Sequence, residues 1–77
     1  MSDRFVRSYH MDYYVIKNKT TGEYYRGKGV NKWGKYYNQA SIFRFRKMVE
    51  DSAEELTRRG EQVEILLIHI TEQPLSS

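Results

Sequence analysis

Hydrophobic and polar positions change period three times along the chain of 77 residues. Asp12 to Lys17 and Glu23 to Gly27 are runs rich in tyrosine and β-branched residues. Between them lies Asn18-Lys19-Thr20-Thr21-Gly22, where Gly22 supplies a positive φ, so the pattern predicts a β-hairpin. Gly27 and Gly29 then interrupt the chain, and Val30 to Asn38 reads as a loop or a short third strand carrying Trp33, Tyr36 and Tyr37. Ile42, Phe45, Met48, Val49, Ser52, Ala53 and Leu56 follow at spacings of three and four, the mark of an amphipathic helix. Gly60, after Arg58 and Arg59, is its natural end. Its start is placed within Ala40 to Arg44; Asn38 is an alternative cap, and Ala40 to Phe43 an alternative short strand. Gln62 to Thr71 is apolar on both faces, with Val63, Ile65 and Leu67 against Leu66, Ile68 and Ile70, and reads as a central strand.

The expected fold is therefore α+β: a small antiparallel sheet in the order β-β-(β)-α-β with one amphipathic helix packed on one face. A chain this short has room for one domain. Residues 1–11 read as an N-terminal extension, 12–71 as the folded core and 72–77 as a flexible tail marked by Pro74.

Charge adds a direction to this picture. From Lys17 to Val49, nine bases (Lys17, Lys19, Arg26, Lys28, Lys32, Lys35, Arg44, Arg46, Lys47) stand against one acid, Glu23, a net +8. From Glu50 onward seven acids and two bases give −5. A domain so polarised projects a positive field from its first half, and its partner is expected to be anionic. Arg44, Arg46 and Lys47 crowd the helix start, where the dipole disfavours cations. The pairs Arg46–Glu50, Lys47–Asp51, Glu54–Arg58 and Glu55–Arg59 at i,i+4 offset part of that cost.

Side chains alternate across a strand, so each doublet, Tyr13-Tyr14, Tyr24-Tyr25 and, if extended, Tyr36-Tyr37, places one ring on the face the helix leaves uncovered. Aromatic rings bordered by bases hold single-stranded nucleic acids by stacking and phosphate neutralisation, and tyrosine and arginine also dominate protein interfaces. The opposing expectation is ordinary packing, with residues 1–11 (Phe5, Val6, Tyr9) folded across this face or a homodimer burying it. The residues assigned to partner binding are Lys17, Lys19, Tyr24, Tyr25, Arg26, Lys28, Lys32, Trp33, Lys35, Tyr36, Arg44, Arg46 and Lys47.

Catalytic patterns are weak. Without cysteine there is no disulfide framework or thiolate metal site, and a reducing cytoplasm is the simpler expectation. His10 and His69 lack metal-ligand spacing, so no metal is expected; His69 reads as a packed or edge residue. Gly27-Lys28-Gly29 lacks the spacing of a phosphate loop, and Glu50, Asp51, Glu54 and Glu55 read as the solvated side of the helix. No cofactor is implied. The longest apolar run, Ile65 to Ile70, is far shorter than a membrane span, and Met1 to Asp12 has no signal-peptide pattern.

Two resemblances extend the reading. Tyr14-Val15-Ile16-Lys17-Asn18 with Thr21-Gly22-Glu23-Tyr24-Tyr25, Gly27, Gly29, Trp33, Ala40 and Ile42-Phe43 resembles the hairpin, Trp loop, helix and C-terminal strand of many short bacteriophage proteins. That resemblance, covering about Tyr13 to Ile70, implies a non-catalytic inhibitor of anti-CRISPR, anti-nuclease or antitoxin type, acting in the host cytoplasm. Its target would be a host protein or ribonucleoprotein complex with an anionic surface. Direct binding of RNA or single-stranded DNA is the alternative. Tyr14, with Tyr25-Arg26-Gly27 downstream, also resembles the opening hairpin of GIY-YIG nucleases. Arg26 there replaces isoleucine, and Lys32 and Lys35 stand where that family has its arginine, so only Tyr14 and Tyr25 carry over.

Overall fold

The computed structural model describes residues 9–72, with the side chains of residues 12–70. Residues 1–8 of the expected extension 1–11, the proposed cover for the outer face, and 73–77 of the expected tail lie outside the described residues, while residues 9–11 belong to the first strand. Strand β1 (Tyr9–Asn18) begins three residues before Asp12, because a ten-residue antiparallel ladder joins it to β4 (Val63–Glu72), from Tyr9 opposite Glu72 to Asn18 opposite Val63. Its other edge meets β2 (Tyr24–Tyr25), with Lys17 opposite Tyr24. Strand β3 (Trp33–Gly34) pairs antiparallel with β2, completing a sheet in the order β3-β2-β1-β4. With the single helix α1 (Arg46–Arg58) on one face, this is the α+β fold expected from the sequence.

The β1–β2 turn is built by Asn18. Its side-chain oxygen accepts from the backbone N–H groups of Thr20 and Thr21, its carbonyl accepts from Gly22, and Gly22 sits at φ +80°, where a side chain would be strained. Its amide also donates to Glu61, tying the turn to the chain that leaves the helix. All of this keeps a buried polar side chain satisfied.

The helix ends as predicted at Gly60. Gly60 N–H donates to Thr57 and Glu61 N–H to Leu56, a Schellman closure with Gly60 at φ +94°. Its start, at Arg46, falls after the Ala40–Arg44 window and nearer the alternative of a short extended segment at Ala40–Phe43 ahead of the helix. Phe43 is the reason: its N–H and C=O both bond to Tyr14 of β1, so the segment stays extended until Phe45.

The core forms where the helix crosses the sheet. Ile16, Tyr25, Val49 and Leu56 are buried together, and Tyr14, Trp33, Phe43, Ala53 and Val63 pack around them. Only the C-terminal part of the predicted apolar stripe is covered: Ile42, Phe45 and Met48 are exposed. The other correction concerns β4, which is apolar on both faces yet forms an edge of the described sheet. The strand flanked on both sides is β1. Pattern alone reports which faces are apolar, not which edges are paired.

Candidate functional site: a basic cleft between loop and helix

The tyrosine doublets alternate as strand geometry requires, but the rings on the outer face are packed against one another. Tyr13 is only 7 % exposed and its hydroxyl shares a 2.7 Å hydrogen bond with that of Tyr37. Tyr37 meets Tyr24 edge-on at 5.5 Å, and the Lys17 ammonium lies 5.5 Å from the Tyr24 ring centre. The third doublet is not extended: Tyr37 opens a 3₁₀ turn (Tyr37–Gln39) stabilised by the Gln39 side chain, which accepts from Tyr36 N–H. The outer-face rings thus contact one another, with Tyr13 buried, Tyr24 half-buried and Tyr37 still 42 % exposed. Tyr36 stands apart and is exposed.

Two of the assigned residues lie on the other face. Tyr25 is 6 % exposed and belongs to the core, and Trp33 packs beside it edge-on at 5.7 Å. Both lie on the helix side of the sheet, where their rings add to the buried core.

The bases separate into five places. Lys17 and Arg26 lie on the outer side; above Gly34, where a Cβ would come within 2.8 Å of the Arg26 side chain and of Gln39, only glycine fits. Lys19 projects from the β1–β2 turn and Lys35 from the segment after β3, both exposed. Arg44, Arg46 and Lys47 are exposed at the helix start, with Arg46 held by Glu50 at 2.8 Å and Lys47 by Asp51 at 3.7 Å. The Glu50 hydrogen bond also raises the Arg46 pKa, so this guanidinium is spoken for. The remaining bases, Lys28 and Lys32, border a cleft of about 130 Å³.

That cleft gathers polar and charged side chains from two separate elements around one space. One wall is the β2–β3 connection, with Lys28, Gly29, Lys32 and the Tyr25 ring; the other is one helical stripe, Ser52, Glu55, Leu56 and Arg59. The connection is held by Arg26 N–H donating to the Lys32 carbonyl and by the Ser41 hydroxyl donating to the Arg26 carbonyl. Three cations thus surround a space with one acid, Glu55, which Arg59 engages at 3.0 Å. Burial pushes the Tyr25 phenol pKa upward, Glu55 adds to the rise and Arg59 opposes it. At neutral pH Tyr25 keeps its proton as a donor. The contents are donors and cations, a chemistry suited to a phosphate or carboxylate.

No protein-family model, curated protein or solved structure matches the chain. The site is therefore read from its own geometry.

Arg59 and Ser52 were missed as site residues by sequence reasoning, which treated Arg59 as half of a surface ion pair; Tyr25, assigned to partner binding from the sequence, does line the cleft. The available signal was the spacing 52, 55, 56, 59, a second stripe beside the core stripe. Among the described residues there is no group of three or more metal-ligating side chains, and no helix is long and apolar enough to cross a membrane. His69 lies on β4 with its Nδ1 against Asp12.

Proposed function

We propose that the chain is a non-catalytic binding protein of the phage-inhibitor type, which blocks a host nucleic-acid-handling or defence complex by capturing an anionic group in the Lys28–Lys32–Arg59 cleft. The observation that supports it is the excess of cations around that cleft, with its one acid already paired to Arg59. Lys28 and Arg59 are exposed and Lys32 is half-buried, so an incoming anion meets the cations with little of their hydration already lost and is held by charge complementarity. Lys19 and Lys35 add long-range attraction.

The test is a pull-down from host lysate, with and without nuclease treatment, comparing the wild type with the double variant Lys28→Glu, Lys32→Glu. The expected outcome is a captured complex that survives nuclease and is lost in the variant, whose circular dichroism spectrum is unchanged. Capture retained by a folded variant removes the cleft from the mechanism.

Direct binding of RNA or single-stranded DNA is the second reading, favoured by exposed Tyr36 next to exposed Lys35. It requires oligonucleotide affinity that falls steeply as salt rises. No affinity at low salt eliminates it.

A further inference from the structure

The backbone bonds of β1 fix which groups of β4 face outward. Tyr14 spends both its N–H and its C=O on Phe43, on the edge away from β4. Alternation along the strand then aims the polar groups of Tyr13 and Val15 at β4, where they meet Ile68 and Leu66. Consistent with this phase, Lys19 N–H donates to the Gln62 carbonyl. The N–H and C=O groups of Val63, Ile65 and Leu67 therefore point away from β1, along an edge that no other described strand covers.

That edge has few of the usual protections, its one acid from Val63 to Ile70 being Glu64. Val63 to Ile70 contains no lysine, arginine or proline, and its ladder with β1 runs without a bulge. Leu67 is 60 % exposed, Ile65 and Ile70 are also exposed, and Ile65 and Leu67 continue into a groove shared with Tyr14, Val49, Arg46 and Glu50. Exposed apolar side chains combined with outward backbone donors and acceptors are a template for strand addition.

We propose that the occupant of this edge is a second copy of the chain, joined antiparallel through β4 about a two-fold axis at Leu67. A two-fold interface must be self-complementary, and this strand is. Centring on Leu67 sets that residue against its own copy, Leu66 against Ile68, Ile65 against His69 and Glu64 against Ile70, with no like charges opposed. Glu50 beside the groove is already paired with Arg46, and Asp12 with His69. The charge is compatible with this, because Lys28, Lys32 and Lys35 flank β2 and β3 at the opposite edge and copies meeting through β4 keep them apart, while Arg46 beside the groove is paired with Glu50. The product is a continuous eight-stranded sheet with both helices on one face. Its two β2 strands lie five strand spacings apart, about 24 Å at the usual interstrand distance.

Analytical ultracentrifugation and amide hydrogen exchange on the full wild-type chain test this without any variant. The expected mass is twice the 9.3 kDa of the single chain. The Ile65 and Leu67 amides are expected to become as protected as those of Leu66 and Ile68 when protein concentration is raised. Leu67→Lys should return the chain to a monomer, with its circular dichroism unchanged and those two amides exchanging fast. A wild-type monomer at high concentration overturns the proposal, whether Ile65 and Leu67 exchange freely or are protected by another segment of the same chain.

Discussion

Tyr37 shows how a single side chain can be engaged rather than offered to a partner. Its hydrogen bond to Tyr13 pushes its pKa up to about 12; desolvation and the neighbouring Tyr13 and Tyr24 phenols push in the same direction. A folded-state pKa above the unfolded value means that this stabilisation is whole below the ordinary phenol value of 10.0 and is lost as pH rises through about 12. An alkaline titration followed by tyrosinate absorbance should show one phenol ionising last, near pH 12, and Tyr13→Phe should bring it back toward 10. If the substitution leaves every phenol where it was, the hydroxyl pair is not formed in solution. At this scale the sequence was partly legible. The alternation that sends Tyr13 and Tyr24 to one face is a property of any strand, whereas their closure by Tyr37 depends on a turn made 24 residues after Tyr13. Asn18 is similar: a turn position was evident, but its bond to Glu61 arises from packing.

Elements were most readable where their determinants are local. Gly60 ends the helix through bonds to residues within five positions, so the stop could be placed from sequence. The start could not, because Phe43 is drawn into a bridge with Tyr14, a partner 29 positions earlier. The same bridge leaves Phe45 as the N-cap, 67 % exposed and with no side-chain acceptor for the first helical N–H groups. The first turn carries Arg46 and Lys47 and no acid, adding an unfavourable dipole interaction. Phe45→Asp supplies both an acceptor and a negative charge at little cost in burial. It should raise unfolding stability by about 0.5–2 kcal/mol in urea denaturation, and no gain would mean that Phe45 makes a compensating contact. The edge position of β4 was also hidden, since an apolar pattern on two faces looks the same whether a second neighbour is present or awaited.

For the molecule as a whole, the sequence revealed the excess of positive charge but not its division in space. Folding carries Lys28 and Lys32 to the C-terminal half of α1, beside Arg59, while Arg44, Arg46 and Lys47 remain at its beginning. The helical rise makes the separation of Arg46 from Arg59 about 20 Å, beyond the screening length of about 8 Å at physiological ionic strength. The two groups should therefore act independently, and they differ in a second respect. Arg46 and Lys47 are bridged to helix acids, as Arg59 is to Glu55, whereas the cleft lining adds Lys28 and Lys32 to that pair. Inorganic phosphate or a short polyphosphate should consequently raise the thermal midpoint of the wild type through preferential binding to the folded state. Lys28→Glu with Lys32→Glu should abolish that shift, and Arg46→Glu with Lys47→Glu should leave most of it, despite an identical change in net charge. Equal losses in the two variants would show that attraction is delocalised over the whole basic half, and that the cleft has no privileged role.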